Sequence, residues 1–326
     1  MNWLNLNENK QRKLFEQLSF KTGIIPRAIE KDAWVTLALR MLFTSEIAEY
    51  LTFKGGTSLS KVYGLIQRFS EDIDISISRE FLGFPGNLTK GEIRKLRRKS
   101  HDFTSRELKK IIENQLIEYG IPKEKFEIIV ENEKISDQDP ETIQLNYQSV
   151  FNEIKYLPQR VLIEIGARSS AEPYEKRIIK SIIDENYPDL EIAESSFEIN
   201  VIRPEKTFLE KLILLHEEFS KPFEKIRYFR MSRHMYDIAQ IAYTEYGKRA
   251  LKDKALFEKI IEHRAKYTPV KSVDYDNLEL KRLEIIPNIE ILKLYEKDYK
   301  QMQENMIYGE QTEFNKIIDK LKKIIS

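Results

Sequence analysis

Two aspartates, Asp72 and Asp74, stand two residues apart in SEDIDISIS, where Ile73, Ile75 and Ile77 alternate with Asp72, Asp74, Ser76 and Ser78. A period of two predicts a half-buried strand with one apolar and one acidic face. Carboxylates at i and i+2 of a strand leave the same side about 6 to 7 Å apart, so they can converge on a shared pair of divalent cations. Ligands that are all oxygen favour magnesium or manganese. Just upstream, a short apolar segment, Tyr50 to Phe53, meets Gly55-Gly56, and helical periodicity resumes through Leu59, Val62 and Tyr63. A glycine turn that opens a helix leaves backbone amides unobstructed, a setting suited to a phosphate. Triphosphate and metal would then meet. Each half also has a plainer reading: an exposed edge strand alternates in the same way, and Gly-Gly turns the chain in many contexts.

These segments need a scaffold. Residues 29–49 are expected to form an amphipathic helix with Trp34, Leu37 and Met41 on one face. The order is then strand, glycine turn, helix over 57–65, and the acidic strand. A Gly/Pro-bearing loop over 83–91 precedes a long polar helix over 92–119, and further strands are expected at 126–130, 142–147, 161–166 and 197–202. After Pro204, Phe208, Leu212, Leu215 and Phe219 recur at helical spacing, and the rest of the chain is rich in Lys, Glu, Ile and Leu. The expected fold is therefore α/β (α+β): a mixed sheet with flanking helices over 1–205, a basic helical insertion near 92–119, and a mostly helical C-terminal domain over 206–326.

Composition removes several chemistries. The chain of 326 residues has 54 Lys and Arg against 53 Asp and Glu, so any pull on nucleic acid must be local. With no cysteine there is no disulfide, thiolate zinc site or thiol nucleophile, and the four histidines lack the i, i+4 pairing of a helical zinc site. The first residues lack an apolar signal core and no apolar run approaches the roughly 18 residues of a membrane span, so no membrane and a cytoplasmic location are expected.

GGTSLSK followed by RFSEDIDI resembles the signature of the AbiEii nucleotidyltransferase toxins of abortive-infection and type IV toxin–antitoxin systems, within the DNA polymerase beta-like nucleotidyltransferase superfamily. The superfamily pattern is Gly-Gly or Gly-Ser, a spacer, Asp-x-Asp and a third acid on a later strand. The spacer here, Thr57 to Glu71, is fifteen residues long. EKDAWVTLALRMLF, VLIEIGARS, EKTFLEKLILLH and SRHMYDIAQI also resemble the family, in the same order. The resemblance implies Mg- or Mn-dependent transfer from an NTP, with Asp72 and Asp74 on the metals and Gly55, Gly56, Thr57 and Ser58 along the phosphates.

Glu164, central in the apolar strand VLIEI, is a costly place for an ionised group without a cation or hydrogen-bond partner, which makes it the candidate third carboxylate. A structural ion pair, with Arg168 for example, is the alternative. The resemblance implies triphosphate contact for Lys211 and a place near the nucleotide or metal for Asp237; helix-surface charge for Lys211 and an i, i+4 pair with Arg233 for Asp237 are the local readings. Arg233 would serve either the triphosphate or Asp237, and Lys54 and Lys61 flank the glycine turn. From Arg94 to Lys110 eight Lys and Arg face two acids, a stripe suited to an RNA backbone through Arg94, Arg97, Arg98 and Lys109, to an acidic protein, or to solvent alone.

The resemblance makes the tRNA 3′ end the expected acceptor and an antitoxin the expected protein partner. Transfer to a protein hydroxyl and non-catalytic NTP binding stay open. An RNase built on Arg227 and His234, with six residues between them, is a further reading that leaves the Gly-Gly and Asp-x-Asp pattern unexplained.

Overall fold

The computed structural model describes residues 3–70, 72–152 and 158–325. Glu71, the last residue of the spacer, lies outside them. Contacts divide the chain into two compact units, Met1–Val62 with Glu71–Val201, and Tyr63–Ser70 with Ile202–Ser326.

The first unit holds a seven-stranded sheet: β1 (Leu51–Lys54), β2 (Asp72–Ile77), β3 (Phe126–Val130), β4 (Glu141–Tyr147), β5 (Arg160–Gly166), β6 (Tyr174–Ile179) and β7 (Phe197–Ile202). The strand order is β3-β4-β5-β2-β1-β7-β6. β2 is central, antiparallel to β1 and parallel to β5. The isoleucines of its apolar face, with Phe53, Val161, Ile163 and Ile165 beside them, are fully buried. Helices of this unit are α1 (Glu8–Thr22), α2 (Pro26–Phe43), α3 (Gly55–Lys61), α4 (Lys90–Asp102), α5 (Lys109–Glu118) and α6 (Ile182–Asn186).

α2 departs from the amphipathic helix expected. Proline at its first turn starts it without the usual donor, and from Ala28 to Phe43 nearly every side chain is buried, because α1, α5, α6 and β5 all pack on it. Trp34 stacks on Tyr147 with ring centroids 4.8 Å apart. Its polar residues are matched: Glu30 accepts from the Val150 amide at 2.9 Å, and Arg40 lies 3.4 Å from Glu194.

α4 starts at a capping box in which the Thr89 hydroxyl accepts from the Glu92 amide and the Glu92 carboxylate accepts from the Thr89 amide. A π-helical stretch, Phe103–Leu108, joins α4 to α5, so one helical rod spans the region expected over 92–119. β6 had no expected counterpart. Its YEKRII sequence is mostly exposed, the pattern of a polar edge strand that periodicity does not reveal.

The second unit contains α7 (Pro204–Phe219), α8 (Ser232–Ile241), α9 (Glu245–Ala250), α10 (Lys254–Tyr267), α11 (Ile289–Asn305) and α12 (Phe314–Ile325). It also claims Tyr63–Ser70, where a longer helix was expected. Gly64, with φ 61°, ends the helical path. The following segment then bridges to residues 306–308: Phe69 N–H donates to the Met306 carbonyl at 2.7 Å and Tyr308 N–H to that of Gln67 at 3.1 Å. Arg68 pairs with Ile307 in an isolated antiparallel bridge.

Ile163 sits in β5 with no exposed surface. Truncation of Ile163→Ala should lower stability by about 2–5 kcal/mol in urea unfolding of the whole chain; a loss under about 1 kcal/mol would contradict the packing described.

Candidate active site

Strand β1 delivers the chain into Gly55, which adopts φ 79° and opens α3. This backbone region is costly for any side-chain-bearing residue. Space is equally restrictive: a Cβ at residue 55 would lie 1.9 Å from Asp74 Oδ2 and 2.7 Å from its Cγ. The carboxylate of the acidic strand therefore rests directly against the glycine turn. Conformation and contact both demand glycine here.

Neighbouring hydroxyls tie the two segments together. Thr57 Oγ1 donates to the Asp72 carbonyl at 2.5 Å, and Ser58 Oγ to that of Gly55 at 2.9 Å. Both residues are buried; the Thr57 hydroxyl fixes the turn to β2, while that of Ser58 closes the first turn of α3 on itself. Lys61 is bound to Asp32 at 2.6 Å and Lys54 donates to Ser169 Oγ at 3.0 Å, which gives both flanking lysines protein partners.

Sheet register brings Glu164, the candidate third acid, alongside. Lys54 of β1, Asp74 of β2, Glu164 of β5 and Thr142 of β4 are successive partners across the sheet, and residues in such a row face the same side. Asp72 shares that face two residues before Asp74. Arg168, the alternative partner considered for Glu164, forks onto Asp139, with Nε 2.9 Å from Oδ2. Among the described residues no three His, Asp or Glu side chains stand close enough to hold a metal ion. Asp74, Glu164 and Thr142 of this row carry oxygen atoms, the donor type that magnesium or manganese prefers, but the three acids expected to share a metal are not gathered into a metal site as they stand.

In the second unit, Asp237 and Lys211 belong to a buried cluster of charges. Asp237 of α8 is fully buried and accepts from Arg68 through both oxygens, Nε at 2.7 Å and Nη2 at 2.8 Å, while Lys211 of α7 reaches Oδ2 at 2.9 Å. The partner of Asp237 is thus Arg68, 169 residues away in sequence, where the local reading expected Arg233. Sequence periodicity gives no sign of this pair, since Arg68 lies in the segment read as spacer. Burial alone would push the Asp237 carboxyl up, but the Arg68 and Lys211 charges outweigh it and hold the group well below the usual carboxylate range.

Lys211 is also nearly enclosed. Burial pulls its ammonium down, partly opposed by Asp237 and reinforced by Arg68. Its Nζ lies 3.4 Å from His234 Nδ1, and because an ammonium only donates, that ring nitrogen is the acceptor. Burial first, then the Lys211 and Arg233 charges, hold the His234 imidazole well below its ordinary value. Arg227 is bound to Glu218, Nη2 to Oε2 at 2.6 Å. The arginine and histidine of the RNase reading are therefore each committed elsewhere, and the histidine is kept neutral.

Along α4 and the π-helical stretch, Lys95, Arg98, Lys99 and Arg106 line a cavity of about 540 Å³ with Asp102 and Glu133. Arg94 and Arg98 are exposed, Lys109 is half-buried, and Arg97 lies 3.5 Å from Asp137.

Comparison with known proteins settles the relationship. The model of the nucleotidyl transferase AbiEii toxin family of type IV toxin–antitoxin systems matches residues 37–320. The chain belongs to the AbiEii family. As an AbiEii protein it is a nucleotidyltransferase enzyme of the toxin class. Solved structures similar to it include MenT4, a nucleotidyltransferase toxin from Mycobacterium tuberculosis H37Rv, at 15% identity over 97% of this chain and 99% of that one, with TM-score 0.47. JHP933 from Helicobacter pylori matches at 16% identity over 85% of this chain and 95% of that one, with TM-score 0.38. No curated protein sequence gives a significant match. No described helix of this AbiEii chain is long and apolar enough to cross a membrane.

Two outcomes follow from this geometry. Gly55→Ala should displace Asp74 and cut nucleotidyl transfer by about 100-fold or more; retained activity in a folded variant would show that the carboxylate position is not critical. For His234, the folded form binds its proton less readily than the unfolded form. Its contribution to stability is then complete above about pH 6.5 and declines as the pH falls below it. The thermal midpoint should fall between about pH 6.5 and 5, and less so in His234→Gln, which keeps an acceptor for Lys211. His216, also shifted downward chiefly by burial, contributes in the same sense to both proteins. Equal declines would remove the assignment to His234.

Proposed function

We propose that this AbiEii chain transfers a nucleotidyl group from a nucleoside triphosphate to an RNA hydroxyl, with the tRNA 3′ end as the acceptor that family resemblance implies. The observation that carries the reading is the contact of the Asp74 carboxylate with the Gly55 turn, with Asp72 on the same strand face and Glu164 in register beside it. In the reaction the hydroxyl oxygen bonds to the α-phosphorus, the bond to the β,γ-diphosphate breaks, and pyrophosphate leaves.

Asp72, Asp74 and Glu164 would hold magnesium or manganese, which when bound would supply positive charge to the phosphate oxygens. The Gly55-Gly56 turn has no side chain to obstruct a phosphate chain. Glu164, in register with Asp74 on the same sheet face, would accept the proton of the attacking hydroxyl. Family resemblance makes Lys211, whose ammonium is held by Asp237, the candidate cation for the β- and γ-oxygens, with Arg233 a second candidate. The basic face of α4 favours RNA over a protein acceptor, because it offers phosphate-compatible charge in an otherwise balanced chain. Membership in a type IV system supports a cognate antitoxin as protein partner.

Incubation of the purified chain with α-labelled NTPs, total RNA and total protein tests the reading. Label should enter RNA 3′ ends, require a divalent cation, and drop by about 100-fold or more in Asp72→Asn and Asp74→Asn. Label in protein would replace the RNA acceptor with a protein hydroxyl. NTP binding with no transfer to either pool would establish a non-catalytic nucleotide-binding protein.

A further inference from the structure

The loop between α7 and α8 combines features that the nucleotidyl-transfer site does not use. Over residues 221–230, KPFEKIRYFR, four Lys and Arg face a single Glu, and two of them, Lys221 and Arg227, are also paired with Glu218 of α7. Among them Tyr228 and Phe229 are 47% and 69% exposed, and Phe223 is exposed as well. Free aromatic rings in water normally fold back onto the nearest apolar surface.

These rings are held out by a pinned backbone. The buried Asp298 of α11 accepts from the Arg230 amide at 2.6 Å and the Ser232 amide at 3.0 Å. Buried Glu218 at the end of α7 accepts from the Arg227 amide at 2.7 Å, and the Tyr295 hydroxyl donates to the Arg227 carbonyl at 2.9 Å. Tyr228 and Phe229 thus sit between two anchored residues. Arg230 adopts φ 58°, the one positive φ outside glycine among the described residues. A left-handed arginine costs conformational energy that the Asp298 bonds offset. With the backbone already ordered, little further entropy would be lost when a ligand settles on the rings.

We infer that Tyr228 and Phe229 form a stacking platform for the bases of single-stranded RNA, with the surrounding cations of the loop on its phosphates. The inference rests on the RNA-acceptor reading and assigns that RNA a contact away from the acidic strand. Interleaved flat rings and cations are what an unpaired nucleotide strand requires, a π-face for each base and positive charge along the backbone. Duplex RNA keeps its base faces hidden and would gain only the charge. A second copy of the chain fits poorly, since it would bring the same cationic loop toward its twin. The α4 stripe lacks this combination, because Phe103, its aromatic, is buried.

Fluorescence anisotropy of a labelled single-stranded oligoribonucleotide of about 8 nucleotides with the full chain provides the test. Tyr228→Ala and Phe229→Ala should each weaken binding by about fivefold or more, with circular dichroism and thermal midpoint unchanged. Phe229→Trp should restore affinity and show indole emission quenched by RNA, a readable signal because Trp3 and Trp34 are buried. Wild-type affinity in the folded double alanine variant would overturn the platform, even if label from NTP still enters RNA, in which case the acceptor reading stands. Equal binding and equal sensitivity with blunt duplex RNA would also overturn it. A wild-type chain that neither binds nor labels RNA would sink both.

Discussion

A single steric fact governs the sheet-bearing unit of this protein: the Asp74 carboxylate occupies the volume that any side chain at residue 55 would need. The strand that bears the acids and the turn that opens α3 are consequently packed as one object. Antiparallel pairing of β1 with β2 sets their register, the Thr57 hydroxyl closes the far side, and parallel pairing with β5 adds Glu164 to the same row. The apolar faces beneath are fully buried, so the acids stand on a rigid floor.

The helical unit solves a different electrostatic problem. A carboxylate without solvent is stable only where cations and donors compensate for its lost hydration. Asp237 meets this requirement with a forked arginine and a lysine, and the lysine in turn has a neutral imidazole on its other side. Removing one member would strand a buried charge, which explains why residues so far apart in sequence depend on one another.

Much of the acidic strand was readable because alternation and Gly-Gly are local signals. Strands at 126–130 and 197–202 appear with the expected limits, for the same reason. The helix expected over 57–65 stops at Lys61, since the pattern of Leu59, Val62 and Tyr63 continues past a point where the chain is drawn into other contacts. Nothing in a periodicity argument marks Arg68 as the counter-ion of Asp237, because that match depends on tertiary placement. Burial of α2 on all sides escaped notice too: its three spaced apolar residues fit one face, while Glu30, Lys31 and Arg40 look like solvent-facing charges in the sequence and are buried only because distant residues pair with them. The clamps on the Tyr228–Phe229 loop arise from Glu218 and Asp298, acids that look like ordinary helix-surface residues in the sequence.

The excursion of Tyr63–Ser70 makes the polypeptide cross between the units three times, after residues 62, 70 and 201. No single cut therefore yields two self-sufficient fragments. A piece ending at Val201 would retain the guanidinium of residue 68 but lack its acid, and the complementary piece would have the acid with no fork to receive. The protein is thus interleaved rather than modular, and its fragments would have to be reunited, as in a split enzyme, before either cluster of charges was whole.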